Sequence, residues 1–177
     1  MDLTNFINLL QEKLGLENVV VQEVDSLPFG EEKALACSSI KEDVVFYKKG
    51  TKEVLDLLFA LAHESRHLWQ KRQLFYKAEL EKYKTVDEIG LVSYNHQFLE
   101  FDANAFATAF MKELTGLTPL FNGLPEESRK AIYFSAKKIK IKISLKERRK
   151  ALEGLEEKNK GIKEISMLIS KKGEKVD

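Results

Sequence analysis

Two histidines and a glutamate form the pattern H-E-x-x-H at residues 63–67. In a helix, this spacing puts His63 and His67 on one face, about one turn and roughly 6 Å apart along the axis. Neutral imidazole nitrogens placed in this way can bind one metal ion, and zinc accepts nitrogen and oxygen donors in a tetrahedron. Glu64 then points to the edge of the site, where it can hold and deprotonate a metal-bound water. The pattern therefore predicts a zinc centre with Glu64 as general base.

The setting of the motif favours a buried helix. An apolar run at residues 54–62 leads directly into His63, and it predicts a helix from about Lys52 to at least Gln70. The alternative is a surface helix that carries two histidines by chance. The chain has only three histidines, and the apolar run is not typical of an exposed helix, so we prefer the metal site.

A catalytic zinc ion needs a third protein ligand and one open position. The candidates are His96 and the two acidic residues Glu100 and Asp102, which open a second predicted helix from about Gln97 to Leu114. Asp102 is two residues from Glu100 and points well away from it, whereas Asn104 lies one helical turn on and shares the face of Glu100. We therefore expect Glu100 as the third ligand and Asn104 as a hydrogen-bond partner of a metal-bound imidazole.

The segment from Glu100 to Ala107 resembles the E-x-E-A-N-x-F-A segment of ImmA/IrrE-type metallopeptidases, the minigluzincins. An H-E-x-x-H motif followed by a glutamate on a later helix is the gluzincin arrangement, and residues 44–114 carry the resemblance. It implies a zincin-like fold, peptide-bond hydrolysis and zinc as the cofactor. It also implies these site residues: the ligands His63, His67 and Glu100, the general base Glu64, and the supporting side chains Asn104 and Asp102.

Hydrolysis of a peptide bond also needs a hydrogen-bond donor for the oxyanion that forms on the carbonyl. Tyr94 and His96 lie just upstream of Glu100, and either could supply that donor. The alternative is that Tyr94 packs and that His96 is a solvated residue where the second helix begins. We therefore add Tyr94 and His96 to Glu64 as candidate catalytic residues.

The elements around the motif helix predict an α+β fold. A short helix ends at Gly15, and three strands follow it, at Val19–Val24, Ala34–Ser38 and Val44–Tyr47. The last two strands are joined by a tight turn, so we expect antiparallel neighbours in a small antiparallel or mixed sheet packed on the two site helices. If Val44–Tyr47 is an edge strand, an extended peptide could pair with it. Residues 71–96 show no clear pattern, and Thr85 to Gly90 indicates a break.

Charge divides the chain into two parts. Residues 1–124 carry 13 Lys/Arg and 19 Asp/Glu, whereas residues 125–177 carry 16 and 9, so the net charges are −6 and +7. We predict a zincin-like catalytic domain at 1–124 and a basic helical C-terminal extension at 125–177. Residues 137–150 of the extension could bind nucleic acid or an acidic partner. We favour a third possibility, that the extension docks on the acidic body.

Composition is that of an ordinary soluble protein, with 44% hydrophobic and 32% charged residues. No apolar stretch reaches the roughly 18 residues of a membrane span, no signal peptide is expected, and the single Cys37 excludes an internal disulfide framework. These features predict a cytoplasmic protein. Together with the motif they predict a zinc metallopeptidase that cleaves a specific protein or peptide. The alternatives are a non-hydrolytic zinc-binding regulatory or sensor domain that binds a protein partner, and a nucleic-acid-associated protein that binds through its basic tail.

Overall fold

The computed structural model describes residues 2–28, 34–155, 161–162 and 164–165. In this part of the chain the elements are α1 Thr4–Leu14, β1 Val20–Val24, β2 Ala36–Ser39, β3 Val44–Lys48, α2 Val54–Lys71, α3 Tyr76–Leu80, α4 Val86–His96, α5 Phe98–Thr115, α6 Glu126–Ala136 and α7 Leu145–Leu152. The predicted α+β class is confirmed. None of the helices described is long and apolar enough to cross a membrane.

The three strands form one mixed sheet in the order β1-β3-β2. β2 pairs antiparallel with β3, with Cys37 opposite Phe46, so the predicted antiparallel neighbours are confirmed. β1 pairs parallel with the other side of β3. The prediction that Val44–Tyr47 could be an open edge is therefore wrong, because β3 is the central strand. A parallel partner that returns through a long connection leaves no local sequence signal beside β3.

The hydrophobic core is formed mainly where α2 packs against α5, with α1 and the sheet around them. Leu57, Leu58 and Leu61 of α2 and Phe110 of α5 are almost completely buried, and the Phe110 ring meets that of Phe6 edge to face at 5.8 Å. Each such side chain contributes roughly 1.5–3 kcal/mol through burial. This packing holds the two site helices side by side, which sets the position of the motif relative to Glu100.

The segment between α2 and α5 contains two helices where the sequence showed no clear pattern. α4 begins with a capping box, in which the Glu88 carboxylate accepts hydrogen bonds from the backbone N–H and the hydroxyl of Thr85 at 2.6 and 2.9 Å. The predicted break at Thr85 to Gly90 is confirmed at its two ends, because Thr85 precedes the helix and Gly90 interrupts it, and is wrong for the residues between them, which are helical from Val86. The helix is distorted only at Gly90, where φ is +76°.

The C-terminal helices pack on the rest of the molecule. α6 contacts α5 and α7 contacts α1, and Ile143, Leu152 and Leu155 belong to the same hydrophobic cluster as the residues of α1 and α2. The Arg148 guanidinium donates to the Leu114 carbonyl at 2.8 Å. Docking of this segment on the body, which we favoured from the sequence, is thus observed for its described residues. The predicted division of the chain at residue 124 stays a prediction.

Candidate metal centre

His63, His67 and Glu100 converge on one point between α2 and α5. The Nε2 atoms of the two imidazoles lie 3.0 Å apart. The Glu100 carboxylate lies 3.2 Å from His63 Nε2 through Oε2 and 3.3 Å from His67 Nε2 through Oε1. Both imidazoles are 14% exposed and the carboxylate 3%. The packing of the two helices thus brings the predicted ligand set together.

The spacing of these donor atoms suits a zinc ion. In a tetrahedron of ligands about 2.0–2.1 Å from zinc, neighbouring donor atoms are about 3.3 Å apart. The N–N separation of 3.0 Å and the two N–O separations of 3.2 and 3.3 Å, one to each oxygen of Glu100, are close to that edge length. Two imidazoles and one carboxylate also form a donor set that a catalytic zinc site uses, with the fourth position open. The residues present therefore fit a zinc ion.

The electrostatics of this cluster favour a bound cation. Burial alone would raise the pKa of Glu100, but hydrogen bonds and the charges of His63 and His67 outweigh burial and hold that pKa far below its ordinary value. Burial would likewise lower the pKa of His67, yet the hydrogen bond and negative charge of Glu100, with the charge of Glu64, raise the pKa to about 9. A buried carboxylate in this position demands positive charge beside it. A divalent cation would supply that charge in place of the proton.

His63 is oriented by two hydrogen-bonded side-chain amides, one from α5 and one from α4. The Nδ1 atom of His63 lies 3.1 Å from Oδ1 of Asn104, and Nδ2 of Asn104 donates to Oδ1 of Asn95 at 2.8 Å. Because Oδ1 of Asn104 can only accept, the proton of His63 sits on Nδ1 and the lone pair of Nε2 faces the site. The hydrogen bond that we expected for Asn104 is therefore present.

His67 is oriented by Gln70, which sequence reasoning missed. Its Nδ1 atom lies 2.8 Å from Oε1 of Gln70, and Nε2 of this buried Gln70 donates to the Leu99 carbonyl at 2.8 Å and to Asp102 at 2.9 Å. Arg66 in turn donates to both oxygens of Asp102 at 2.8 and 3.2 Å. The spacing of His67 and Gln70 on one helix was the signal that could have revealed this contact.

The prediction that Asp102 supports the ligands needs correction. Asp102 touches Gln70 and Arg66 rather than an imidazole, because its position two residues from Glu100 turns it away from the ligand face of α5. The Arg66 guanidinium also stacks on the Trp69 ring, with 3.4 Å between its Cζ and the ring centroid. Asp102 therefore acts on His67 only through Gln70.

Two tyrosines, Tyr83 between α3 and α4 and Tyr94 in α4, connect the third candidate ligand to the preceding part of the chain. The Tyr83 hydroxyl donates to Oε1 of Glu100 at 2.8 Å and lies 2.7 Å from the Tyr94 hydroxyl. Since the single proton of Tyr83 goes to Glu100, Tyr94 must be the donor between the two phenols. Burial and the negative charge of Glu100 raise the pKa of both tyrosines well above the ordinary value, so both stay protonated. Sequence reasoning missed Tyr83 as a site residue.

His96 does not join the site. It is the last residue of α4, its side chain is exposed, and it does not line the cavity beside the ligands. Gln97 follows in an extended conformation, with ψ at 142°, so His96 is not on a continuous helix with Glu100. The prediction that His96 lies close enough to the site for a catalytic role is therefore wrong. That prediction required α5 to begin one turn earlier.

A cavity of about 210 Å³ opens beside the ligand cluster. Ser38 of β2 lies in its wall, and the Ser38 hydroxyl donates to Oε2 of Glu64 at 2.7 Å, a contact that nothing in the sequence indicated. The other lining residues are Cys37, Ile40, Glu64, His67, Tyr76, Leu80, Tyr83, Tyr94, Leu99 and Glu100. The cavity thus presents the glutamate of the motif, two candidate ligands and the tyrosine pair to one space that is lined by both polar and apolar side chains.

Comparisons of the chain with protein-family models, with curated proteins and with solved structures found no match. The resemblance to gluzincins therefore stays a prediction from the two motifs. What the chain can do chemically has to be argued from the geometry of the cluster and of its cavity.

Proposed function

We propose that the protein is a metal-dependent peptidase, with a zinc ion held by His63, His67 and Glu100. The observation that carries this proposal is the cluster of two imidazole nitrogens and the Glu100 carboxylate beside a cavity that also contains Glu64. The N–N separation, and the N–O separation from each nitrogen to one oxygen of Glu100, are close to the edge length of a zinc tetrahedron. A purely structural zinc site would close the fourth position with a further protein ligand. The described residues place three candidate ligands together and leave a cavity beside them.

The zinc ion would act as a Lewis acid on the scissile carbonyl and make water easier to deprotonate. Glu64 would accept a proton from the attacking water as the new C–O bond forms, and would pass that proton to the amine nitrogen as the C–N bond breaks. The hydroxyl of Ser38, at 2.7 Å, would hold the Glu64 carboxylate in position while leaving its other oxygen for the water.

Tyr94 would donate a hydrogen bond to the oxyanion. Its hydroxyl is in the cavity and carries a proton, which it gives to Tyr83 when no substrate is present. Tyr83 is committed to Glu100, so of the pair only Tyr94 has a proton to redirect. A change of partner from Tyr83 to a peptide carbonyl would stabilise the tetrahedral intermediate where its negative charge develops.

The substrate would lie extended along β2 rather than β3. β2 is an end strand of the described sheet, and Ser38 and Cys37 of this strand line the cavity. An end strand offers backbone groups to which a peptide can add as a further strand. The apolar residues of the cavity, such as Ile40 and Leu80, would then receive a side chain next to the scissile bond.

The test is cleavage of a peptide library, made from a digested unfolded proteome, by the zinc-loaded protein. New peptide termini are read by mass spectrometry for the unmodified protein, for Glu64→Gln and for Asp56→Asn, an exposed control on the same helix. We expect cleavage by the unmodified protein and by Asp56→Asn, and none by Glu64→Gln with its zinc retained. Equal cleavage by Glu64→Gln would refute the proposed role of Glu64, and absence of cleavage by every form would favour a non-hydrolytic zinc domain.

A further inference from the structure

A second cavity lies beside the C-terminal half of α5, whereas the candidate ligand Glu100 is in the first turn of that helix. It has a volume of about 510 Å³ and is formed by α5, α6 and the segment 137–144 that connects α6 to α7. Its residues include Thr108, Lys112, Tyr133, Ile139 and Ile141, and none of them lines the cavity of the metal centre. The volume is in the range of about 300–1,000 Å³ that is typical of ligand sites. We call this cavity, together with segment 139–143, the basic groove.

One wall of the basic groove is an extended stretch of chain without strand partners. The exposure of the side chains alternates along this stretch. Lys140 and Lys142 are exposed, and the residues between and beside them, Ile139, Ile141 and Ile143, are half-buried or buried. This period of two is that of an extended chain. Among the described residues, the backbone N–H and C=O groups of 140–143 make no hydrogen bond. Such a row of unpaired groups is a template on which another extended segment can add as a strand.

The charge around the basic groove is strongly positive. Lys112 and Lys137 line the cavity, and three further lysines flank it on the chain, at Lys138, Lys140 and Lys142. Glu113 is the single carboxylate among the lining residues. In the part of the chain that the structure describes, none of these lysines is ion-paired with a carboxylate of the protein. An acidic ligand would therefore meet cations that have no competing carboxylate among the described residues, although Lys138 lies over the Phe134 ring, 4.2 Å from its centroid.

The wall of the cavity also contains a buried hydroxyl group that has no hydrogen-bond partner among the described residues. Thr108 is 2% exposed, and its hydroxyl is the buried side-chain atom that has no hydrogen-bond partner among the described residues. A helical threonine ordinarily satisfies its hydroxyl on a carbonyl one turn earlier. A buried hydroxyl without a partner costs about 1–3 kcal/mol. A polar group of a ligand in the groove could remove that cost.

We propose that the basic groove binds an acidic peptide segment in extended conformation, which adds as a strand to residues 140–143. Its apolar side chains would cover Ile139 and Ile141, and its carboxylates would face the lysines. Nucleic acid is less well matched, because Tyr133 is the one aromatic residue in the lining and stacked bases need aromatic platforms. The proposal does not depend on the peptidase function, since no ligand of the metal centre contributes to the groove.

The test uses a fluorescein-labelled hexapeptide of alternating valine and glutamate and the full-length metal-free protein, with binding followed by fluorescence anisotropy. We expect Lys112→Glu/Lys137→Glu to weaken binding by at least about tenfold, because two attractive charges become repulsive. The control Lys41→Glu/Lys77→Glu makes the same change of net charge at exposed lysines elsewhere, and we expect it to keep the affinity within about twofold. The peptide should also slow hydrogen exchange at the amides of 140–143.

Three results would overturn the proposal. The first is absence of binding at millimolar peptide, and the second is equal loss of affinity in the two double variants. The third is full binding by a peptide N-methylated at every amide, since such a peptide has no N–H group with which to complete the strand ladder. Displacement of the hexapeptide by a single-stranded oligonucleotide, without any protection of the amides of 140–143, would instead assign the groove to nucleic acid and would equally refute the peptide site.

Discussion

Gln70 lies one helical turn after His67 and holds its imidazole in place, with 2.8 Å between Oε1 of Gln70 and Nδ1 of His67. The amide nitrogen of the same Gln70 donates to the backbone and to Asp102 of α5. One buried side chain therefore fixes the tautomer of a ligand on α2 and ties that ligand to the helix that carries Glu100.

Replacing Gln70 by methionine should weaken zinc binding by about 10–100-fold, because outer partners of a ligand imidazole have effects of this size. The affinity is measured by competition with a chromophoric chelator, and circular dichroism checks that the variant is folded. The matched control is Gln73→Met, since the Gln73 side-chain amide donates to the Trp69 carbonyl one turn before it and, among the described residues, makes no contact with the histidines. Equal affinities for Gln70→Met and the unmodified protein would contradict the role of Gln70.

Removing the Tyr83 hydroxyl and removing the Tyr94 hydroxyl, each in a single variant, should have different effects on metal binding and on catalysis. Tyr83→Phe takes a hydrogen bond from Glu100, so we expect weaker zinc binding, by about tenfold or more. Tyr94→Phe leaves Glu100 bonded to Tyr83, so zinc affinity should stay and kcat should fall by about 10²–10³-fold if Tyr94 stabilises the oxyanion. Chelator competition and steady-state kinetics on a cleaved peptide distinguish the two. Identical profiles for both variants would contradict this division of roles.

Glu100 and Asp102 should respond very differently to truncation. Glu100→Ala removes a ligand, and we expect the purified variant to hold no stoichiometric zinc. Asp102→Ala removes a partner of Gln70 and Arg66, so it should keep most of the zinc while losing stability. Elemental analysis and thermal unfolding measure the two effects. Equal zinc loss in both variants would refute the choice of Glu100 as the ligand.

Zinc binding should weaken as the pH falls. In the metal-free protein the pKa of His67 is raised to about 9, because the hydrogen bond and charge of Glu100 outweigh burial. Below that pH zinc must displace the proton from His67, so the apparent affinity should fall by about tenfold per pH unit. Titrations between pH 6 and pH 10 with a competing chelator check this slope, and a flat profile below pH 9 would contradict it.

The metal-free protein should show the opposite trend in stability. A folded-state pKa above the unfolded value means that the folded protein binds the proton more tightly, so His67 stabilises the fold at low pH. This contribution is fully present below the ordinary pKa of about 6.5 and is lost as the pH rises to about 9. Urea unfolding of the chelator-treated protein should therefore give a lower free energy of unfolding at pH 9 than at pH 6.5. His67→Gln should remove this difference.

The contact of α7 with α1 should be sensitive to acid. The hydrogen bonds from Lys13 and from Ser144 lower the pKa of Glu147 to about 2. A depressed folded-state pKa contributes stability that is present above the ordinary value of 4.5 and is lost as the pH falls to about 2. Glu147→Gln should therefore be less stable than the unmodified protein at pH 7 and equally stable near pH 2. The exposed Glu127→Gln serves as control, and its unfolding should follow that of the unmodified protein.

The sequence by itself determined which residues are the candidate ligands and which two helices carry them. Helical spacing is a local property, so His63 and His67 had to share a face, and Glu100 and Asn104 had to share another. The strands of the β2–β3 hairpin were also predictable, because a short turn leaves an antiparallel pair as the simplest arrangement. In each of these cases the residues concerned are close in the chain, or their spacing matches the period of a single helix or strand.

Only the tertiary structure decided which other residues reach the site. Tyr83 and Ser38 come from segments far from the motif, and their hydroxyls meet Glu100 and Glu64 because α2 packs against both α5 and the sheet. The central position of β3 depends on β1, which pairs with it across a long connection. His96 lies outside the site because the chain turns at Gln97. Such long-range contacts arise from the burial of apolar faces. The sequence of one element shows that its apolar face must be buried, but it does not show which other element covers that face.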